Sequence, residues 1–274
     1  MKNTYEIYLI SDSTGETIDR IFIALKSQFP HFKYNINNFS FTRTQNQIKE
    51  ILKNIKNSEN TIILYTLVDT DMSEFLLNEA KRYKIPCFGV LGELISNFSM
   101  LLKQKSLNIP SRQHKLNDEY YDRVEAIQFT IRHDDGNETD DIDESDIIIL
   151  GVSRTSKTPT SIYLANRGYK TSNIPLINEK SIPEKIKVNK KKLCIVGLTT
   201  DPERLIDLRK NRMRSLKERE NTNYTNIKMI SAEVKLARKT FKKFNWPVID
   251  VTRKSVEETA AAIIKIHEIM NKNG

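Results

Sequence analysis

The chain has 274 residues, of which 38% are hydrophobic and 29% are charged, and its formal net charge at pH 7 is +9. This length and composition allow two modest hydrophobic cores or one large one. No apolar run approaches the ~18 residues of a membrane span. The first apolar run is short and is broken by Ser11 and Asp12, unlike a signal peptide. We therefore expect a cytoplasmic protein with no membrane partner.

The charges are divided unevenly along the chain. Residues 1–145 carry 17 Lys and Arg against 22 Asp and Glu, whereas residues 146–274 carry 27 against 13. A basic second half suits a polyanionic ligand or an acidic protein surface. The two cysteines, Cys87 and Cys194, each lie in an apolar run, which predicts buried thiols and argues against a disulfide or a metal site.

The first half alternates between strand and helix patterns. Strands are predicted at residues 5–10, 36–41, 61–68 and 85–90. Helices are predicted after the first strand, through Ile18, Phe22 and Leu25, and at residues 45–57, 73–83 and 94–103. Such alternation predicts a mostly parallel sheet with helices on its faces. Residues 103–115 are polar and contain Pro110, so we expect an exposed loop there.

The motif SDSTGET, residues 11–17, follows the first predicted strand and opens the first helix. Asp12, Ser13 or Thr14 would cap that helix through its side-chain oxygen. Ligands of parallel sheets gather at the carboxyl ends of strands, so a second anion or protein-substrate site is the alternative to an ordinary cap. The sequence leaves both open.

The segment before the second half ends in the motif HDDG, residues 133–136. Residues 117–128 predict a helix and residues 129–132 a short strand leading into that motif. Asp134 and Asp135 are suited to hold Mg²⁺ or to accept a proton from a hydroxyl group. A polar turn is the alternative, because the acidic stretch GNETDDIDESD follows.

A phosphate-binding motif opens the second half. Residues 147–150 form an apolar run that predicts a strand buried on both faces. The chain then reads GVSRTSKT, the pattern GxxxxSKT with a serine at the position of the second glycine. An apolar helical pattern follows Pro159. The motif comprises Gly151, Val152, Ser153, Arg154, Thr155, Ser156, Lys157 and Thr158.

The strand–loop–helix context gives this motif its chemistry. Backbone N–H groups at the start of a helix lack intrahelical partners, and the helix dipole adds positive charge there. They can hold phosphates, with Lys157 as a point charge and Thr158 offering its hydroxyl to Mg²⁺. A strand–helix connection that happens to contain these residues is the alternative. Because Ser156 lacks the freedom of glycine at positive φ, we expect a loop shaped differently from an ordinary P-loop.

A basic stretch, residues 185–192, is expected to form a solvated loop before a strand at residues 193–198. Asp201 and Pro202 then suit the cap and the first position of a helix. Within that helix, Arg204, Arg209 and Arg212 either reach a transferring phosphate or form a solvent-facing basic surface.

The chain ends with a predicted helix at residues 225–244, a strand at 248–251 and a helix at 256–270. His267 lies near an apolar face of that last helix and is expected to be structural. No strand with a Walker-B-type aspartate is evident after the phosphate motif. Asp201 and Asp250 are the nearest candidates for binding magnesium.

These motifs together resemble a known family. The stretch GVSRTSKTPTSIYLANRGYKTSNIPLI is similar to the signature of the pyruvate, phosphate dikinase regulatory proteins. The resemblance extends to SDSTGET, to HDDG, to GLTTDPERL at residues 197–205 and to IDVTRKSVEETA at residues 249–260. It covers almost the whole chain. The related phosphoenolpyruvate synthase regulators have Cys-Gly in place of Thr155-Ser156, which favours the dikinase as target.

The resemblance implies a bifunctional enzyme. Such proteins use ADP as phosphoryl donor to phosphorylate a threonine of pyruvate, phosphate dikinase, which inactivates it and leaves AMP. They remove the same phosphate with inorganic phosphate as acceptor and release pyrophosphate. For this chain, Lys157 would neutralise the transferring group and Mg²⁺ would be a cofactor. We expect Asp134 to be the catalytic base for the threonine hydroxyl, Asp135 to be the second carboxylate of the site, and His133 to be a partner of the base. A homodimer is compatible with this function.

We predict an α/β fold with an N-terminal α/β domain at residues 1–145 and a C-terminal P-loop kinase-like domain with a parallel sheet at residues 146–274. A nucleic-acid-binding protein is a rival, but the aromatic residues are not interleaved with the Lys and Arg runs as a base-stacking surface requires. We therefore expect no nucleic-acid partner. A nucleotide sensor without chemistry and a regulator of phosphoenolpyruvate synthase remain alternatives.

Overall fold

The protein contains two parallel sheets, and helices pack against each of them. The computed structural model describes residues 4–55, 58–114, 116–188, 193–216 and 223–272. They fall into two units, Met1–Lys115 and Leu116–Gly274. No helix in the described ranges is long and apolar enough to cross a bilayer. The α/β class predicted from the sequence is confirmed.

The first unit contains a four-stranded sheet in the order β2-β1-β3-β4, with every neighbouring pair parallel. Its strands are β1 (Tyr5–Ser11), β2 (Tyr34–Phe39), β3 (Thr61–Thr66) and β4 (Cys87–Gly89). Its helices are α1 (Glu16–Lys26), α2 (Gln45–Lys53), α3 (Thr70–Arg82) and α4 (Gly92–Leu102). The predicted alternation is confirmed. Of the helix predicted at 45–57, residues 56 and 57 lie outside the described residues.

The second unit repeats this strand order as β6-β5-β7-β8, again all parallel. Its strands are β5 (Ile147–Gly151), β6 (Thr171–Pro175), β7 (Cys194–Thr199) and β8 (Val248–Asp250). Its helices are α5 (Asp118–Arg132), α6 (Lys157–Ala165), α7 (Glu184–Lys187), α8 (Pro202–Leu216), α9 (Ile227–Lys243) and α10 (Val256–Lys272). Helix α7 includes the start of the predicted basic loop, whose residues 189–192 lie outside the described residues.

Strand β5 is buried on both faces, as its apolar run predicts. Ile148 and Leu150 point into a core that includes Phe241 of α9. Ile147 and Ile149 point to the other side, into a core that includes Ile263 of α10. This two-sided burial fixes the end of β5, and therefore the start of the phosphate motif, in the middle of the sheet.

One predicted strand is wrong. Residues 129–132 continue helix α5. Phe129 is buried, and its carbonyl oxygen accepts a helical hydrogen bond from the backbone N–H of His133 at 3.1 Å. The apolar pattern at Phe129 and Ile131 suits a strand, but the helix lets Phe129 stack on the His133 ring at a centroid distance of 3.9 Å.

The division between the units lies before α5, whereas the sequence placed the boundary at residue 145. Helix α5 packs on α6 and β6 of the second unit. Lys170, just before β6, also donates to Glu125 of α5 at 2.6 Å. The HDDG motif therefore belongs to the same unit as the phosphate motif.

Both cysteines are free, and the predicted burial is confirmed for Cys194 but not in full for Cys87. Cys194 is buried and Cys87 is half-buried. Burial raises the pKa of Cys87 to about 12 and that of Cys194 to about 11, so both thiols stay protonated at neutral pH.

Gly197 of β7 allows α9 to lie close to the sheet. A Cβ atom at this position would lie 2.5 Å from a ring atom of Phe241, so the ring has to move if a methyl group is added. We predict that Gly197→Ala lowers the free energy of unfolding by about 1–3 kcal/mol. Denaturant unfolding followed by the fluorescence of Trp246, the only tryptophan, measures this loss in the second unit.

The double variant Gly197→Ala/Phe241→Leu is the control for this contact. Because the smaller side chain relieves the clash, its loss of stability should be less than the sum of the two single losses. Strict additivity would contradict the proposed close approach.

Candidate functional site

The phosphate motif forms a tight turn at the end of β5. Thr155 folds back so that its hydroxyl donates to the carbonyl oxygen of Val152 at 2.9 Å. A Cβ atom on Gly151 would lie 2.5 Å from the Thr155 hydroxyl and 3.0 Å from the carbonyl oxygen of Leu198. Only glycine fits at the first position of this motif, which explains the sequence pattern in physical terms.

Ser156 occupies the position of the second glycine and adopts a left-handed conformation, with φ of 59°. Ser156 therefore takes a conformation that glycine usually provides, and the expectation of a differently shaped loop stays a prediction. Ser156 is the N-cap of α6, and no side chain caps this helix. Lys157 and Thr158 are the first two residues of α6, so their backbone N–H groups have no intrahelical acceptor.

Lys157 is a buried cation beside these N–H groups. Only 5% of its surface is exposed. Its Nζ atom donates to the carbonyl oxygen of Val152 at a long 3.4 Å. Burial lowers the pKa of Lys157, and the charges of Asp135 and Asp134 oppose that shift only in part. An ammonium group with so little compensation is suited to bind an anion.

A cavity of about 350 Å³ opens onto the loop. It is lined by Asp135, Ser153, Arg154, Ser156, Lys157, Thr158, Pro159, Leu208 and Arg212. Cationic side chains and the uncapped start of α6 thus face one space. Of the three arginines weighed in α8, Arg212 is the one that lines this cavity.

The two aspartates of the HDDG motif differ in their surroundings. Asp134 Oδ1 accepts a hydrogen bond from the Thr158 hydroxyl at 2.9 Å and another from the side-chain amide of Asn173. Asp135 has a left-handed backbone, with φ of 51°, and lines the cavity. Asp134 is therefore engaged with the loop, whereas Asp135 faces the space where a ligand would bind.

Asn173 of β6 joins the HDDG motif to the phosphate motif. It is completely buried. Its amide donates to Asp134 and, at 3.2 Å, to the hydroxyl of Ser161, and its Oδ1 accepts from the N–H of Asp135 at 3.1 Å. Asn173 belongs to none of the motifs that predict a catalytic or binding residue. Its only signal in the sequence is its position within the stretch that is similar to the family signature.

His133 does not face the cavity. It is buried, and its two ring nitrogens each have an acceptor at 2.8 Å, the carbonyl oxygen of Phe129 and the carboxylate of Asp141. The hydrogen bond from His133 holds the pKa of Asp141 below its usual value. The backbone carbonyl of His133 accepts from the N–H of Asn173 at 3.2 Å. His133 therefore positions the turn that carries Asp134 and Asp135.

Arg209 is a buried residue that contacts the backbone of the phosphate motif. It is 1% exposed, so it is not part of a solvent-facing surface. Its guanidinium group pairs with both carboxylate oxygens of Glu233, at 2.6 and 3.3 Å, and donates to the carbonyl oxygen of Ser153 at 3.5 Å. It also lies over the Tyr224 ring at 4.6 Å. Its burial depends on Glu233, a pairing that helix periodicity does not reveal.

Tyr224 completes this support. Its hydroxyl lies 3.2 Å from the hydroxyl of Ser153. Burial acts to raise the pKa of Tyr224, but hydrogen bonds with Ser153 and Arg154, together with the charges of Arg154 and Arg209, lower it on balance. The lowered pKa of Tyr224 therefore reflects the positive electrostatic potential around the phosphate motif.

The other magnesium candidates lie elsewhere. Asp201 caps α8 by accepting from the N–H of Glu203 at 2.8 Å, which confirms the predicted cap with Pro202 at the first helical position. Asp250 accepts from the hydroxyl of Thr252 and pairs with Arg238 at 3.6 Å. Within the described ranges, no group of three or more His, Cys, Asp or Glu residues is arranged to hold a metal ion.

The SDSTG loop of the first unit has the same place in its sheet, after the first strand. Gly15, with φ of 89°, is the N-cap of α1, and no side chain caps that helix. The predicted caps Asp12, Ser13 and Thr14 are therefore wrong. Asp12 is buried, accepts from the N–H of Val68 at 2.7 Å, and has its pKa raised by burial. The second anion or protein-substrate site expected there stays a prediction.

The Asn173 network predicts a measurable loss of stability. Asn173→Ala leaves the N–H of Asp135 without its acceptor and Asp134 without one donor. We expect the free energy of unfolding to fall by about 1–3 kcal/mol, the usual cost of unpaired buried polar groups. Asn166→Ala is the control, because Asn166 is exposed and its amide bonds only a helix carbonyl at 2.9 Å. Equal losses in the two variants would contradict a special role for the buried network.

Comparison with known proteins is consistent with this geometry. A protein of Pelagibacter ubique (strain HTCC1062) is 65% identical over 274 residues, the whole of both chains. One of Erythrobacter litoralis (strain HTCC2594) is 44% identical over 261 residues, 95% of this chain and 93% of the relative. One of Anaplasma phagocytophilum (strain HZ) is 41% identical over 271 residues, 98% of this chain and 96% of the relative. All three carry the name pyruvate, phosphate dikinase regulatory protein.

The segment from residue 7 to residue 264 matches the model of one protein family, described as kinase/pyrophosphorylase. This match spans both units and includes the phosphate motif, the HDDG turn and Asn173. The chain belongs to the kinase/pyrophosphorylase family.

Proposed function

We propose that this protein regulates pyruvate, phosphate dikinase by reversible phosphorylation of a threonine. In one direction it uses ADP as phosphoryl donor and inactivates the dikinase. In the other it transfers the phosphate to inorganic phosphate and forms pyrophosphate. The observation that carries the proposal is the buried Lys157 beside an uncapped helix start, in a cavity that also contains a carboxylate. The target follows from the names of the relatives.

The phosphate groups of ADP would lie on the loop from Gly151 to Thr158. The N–H groups at the start of α6 would donate to them, and Lys157 would provide the compensating charge. An anion beside the Nζ atom stabilises the ammonium form that burial disfavours. Arg154 and Arg212 line the same cavity and would offset the remaining charge.

Thr158 and Asp134 fit a magnesium ion bound to the phosphates. Their oxygens lie 2.9 Å apart, and a hydroxyl and a carboxylate are the oxygen ligands that Mg²⁺ prefers beside phosphate. Asp134 would thus be the magnesium-binding carboxylate, a role for which the sequence suggested Asp201 or Asp250. Mg²⁺ held there would neutralise charge on the phosphates. Lys157, Arg154 and Arg212 would provide the remaining positive charge that pairs with the phosphates.

Asp135 is the carboxylate that suits proton transfer, in place of the Asp134 chosen from the sequence. In the forward direction the threonine oxygen of the dikinase bonds to the β-phosphorus of ADP, and the bond from that phosphorus to the bridging oxygen breaks. The hydroxyl proton passes to Asp135, and AMP leaves with the bridging oxygen. Asp134 is not free for this step, because Thr158 and Asn173 donate to it.

The reverse direction uses the same groups. An oxygen of inorganic phosphate bonds to the phosphorus of phosphothreonine, and the bond between that phosphorus and the threonine oxygen breaks. The proton of the attacking phosphate passes through Asp135 to the threonine oxygen, and pyrophosphate leaves. One loop can serve both directions because it binds phosphate groups in each.

Two alternatives share the same cavity. Phosphoenolpyruvate synthase is the other possible target, and Thr155-Ser156 disfavours it only through the resemblance. A regulator that binds ADP without chemistry is the second, but the Asp135 side chain that lines the cavity favours catalysis. Incubation with ADP labelled at the β-phosphate separates them. We expect label on a threonine of the dikinase and none on the synthase. Tight ADP binding without transfer of label would contradict the enzyme.

Lys157→Ala tests the shared phosphate site. We expect both the ADP-dependent and the phosphate-dependent rates to fall by about 10²–10³-fold, because one preorganised charge is lost. Removal of a buried cation whose pKa is lowered by burial should not unfold the protein. Lys265→Ala, an exposed position on α10, is the control. Full activity of Lys157→Ala in either direction would contradict a single shared site.

Asp135→Asn and Asp134→Asn separate the two carboxylates. We expect Asp135→Asn to lower kcat by about 10²–10⁴-fold in both directions, the usual contribution of a general base, with ADP affinity nearly unchanged. Asp134→Asn should instead raise the Mg²⁺ concentration required for half-maximal rate. The pair is matched in size and charge change. A loss of kcat in Asp134→Asn alone would contradict this assignment and would identify Asp134 as the base, as expected from the sequence.

A further inference from the structure

A second cavity of the second unit lies at the same sheet edge as the phosphate motif. Its volume is about 770 Å³, which is typical of small-molecule sites. Asp201, which follows β7, and Asp250, which ends β8, both line it. Strand β7 is hydrogen-bonded to β5 on its other side. The second cavity therefore lies next to the loop that begins at Gly151, at the carboxyl ends of parallel strands, where ligands gather.

Helix α8 runs past both cavities. Its residues Leu208 and Arg212 line the cavity at the phosphate motif, whereas Arg204 and Asp207 line the second cavity. Arg204, Leu208 and Arg212 form a row on one face of the helix, because they are four positions apart. The two ends of this row lie roughly 12 Å apart along the helix axis. One extended ligand can therefore lie along α8 and occupy both cavities.

The charges of the second cavity are nearly balanced. Among the described residues that line it, the cations are Arg204, Arg238, Arg253 and Lys254. The carboxylates are Asp201, Glu203, Asp207, Asp250 and Glu258. A phosphate group requires an excess of positive charge or free backbone N–H groups. The excess is absent among these side chains.

The helix starts at the second cavity are already capped. Asp201 accepts from the backbone N–H groups of Glu203 at 2.8 Å and of Arg204 at 3.3 Å. At the start of α10, the hydroxyl of Ser255 accepts from the N–H of Glu258 at 3.1 Å, and the Glu258 carboxylate accepts from the N–H of Ser255 at 2.8 Å. The second cavity therefore suits a polar group without a phosphate, unlike the uncapped start of α6.

Three charged side chains of the second cavity are available to a ligand. Arg238 and Asp250 pair with each other at 3.6 Å. In contrast, no residue that the structure describes is a hydrogen-bond or ion-pair partner of the side chains of Arg204, Asp207 and Arg253. Guanidinium planes stack on nucleobases, and a carboxylate accepts hydrogen bonds from ribose hydroxyls. These three side chains thus match the two parts of a nucleoside.

Building on the proposed function, we propose that the second cavity holds the ribose and the base of a nucleoside diphosphate whose phosphates lie on the loop from Gly151 to Thr158. Asp207 accepts from the ribose hydroxyls, since it adjoins Leu208 at the phosphate cavity. Arg204, one turn away on α8, and Arg253, after the strand farthest from β5 on that side, stack on the base. The order phosphate, ribose, base thus follows α8 from Arg212 to Arg204.

This arrangement separates the two directions of the reaction. The donor ADP contains a nucleoside, whereas the reverse direction involves only phosphothreonine and inorganic phosphate. The side chains of the second cavity therefore contribute binding energy in the ADP-dependent direction alone. A residue that only stabilises the fold would affect both directions.

The double variant Arg204→Ala/Arg253→Ala tests the second cavity by calorimetry of the full chain with ADP and with pyrophosphate. We expect ADP to bind about 100-fold more weakly than it binds to the natural protein, because two stacking contacts are lost, and pyrophosphate to bind within about threefold. Arg214→Ala, at an exposed position of the same helix, is the control. Circular dichroism verifies that the variants are folded.

Unchanged ADP affinity in the double variant, or an equal loss of affinity for pyrophosphate, overturns the nucleoside cavity and leaves the proposed function intact. A natural protein that does not bind ADP contradicts the proposed function itself. Steady-state rates give a second readout. KM for ADP should rise about 100-fold in the double variant, with KM for inorganic phosphate within about threefold of the natural value. A parallel loss in both directions indicates a structural role and also overturns the assignment.

The role of Asp207 is tested by changing the protein and the ligand together. The natural protein should bind 2′,3′-dideoxy-ADP about 10-fold more weakly than ADP, because hydrogen bonds to a carboxylate are lost. Asp207→Ala should bind the two ligands with nearly equal affinity. If the ratio of the two affinities is the same in both proteins, the ribose hydroxyls do not contact Asp207, and this assignment is overturned.

Discussion

A buried ammonium group at the start of a helix is the constraint on which the second unit depends. Lys157 is almost completely buried, and burial lowers its pKa. Such a group is stable only where anions or oriented dipoles surround it. The loop places it beside the uncapped N–H groups of α6, which repel a cation. A phosphate bound at the loop, as we propose, would resolve both problems, since it would accept from the N–H groups and pair with the ammonium.

The two sheets have the same strand order, but their loops differ in charge. The loop after β5 contains Arg154 and Lys157, whereas SDSTGET after β1 contains no Lys or Arg and has Asp12 buried within it. A shared topology thus places both loops at the carboxyl ends of the central strands. Charge, and not topology, distinguishes the loop that suits a diphosphate.

The sequence predicted the features that depend on local pattern. Alternating strands and helices, the strand–loop–helix motif and the cap at Asp201 all follow from short-range periodicity and turn chemistry. Strand β6 was not predicted, because TSNIP is polar. It is buried because Ser172, with a hydroxyl 2.8 Å from that of Ser145, and Asn173 are hydrogen-bonded to distant residues. The roles of Asp134 and Arg209 depend on such long-range partners, which one sequence does not disclose.

The most direct measurement is a crystal structure of the protein with Mg²⁺ and ADP. Our account predicts phosphate oxygens within hydrogen-bond distance of the N–H groups of Lys157 and Thr158 and of the Lys157 ammonium. It also predicts that the Thr158 hydroxyl leaves Asp134 and contacts the metal ion, with Asp135 facing the β-phosphate. Phosphates bound only at the SDSTG loop, or a loop from Gly151 to Thr158 without ligand at saturating ADP, would contradict it.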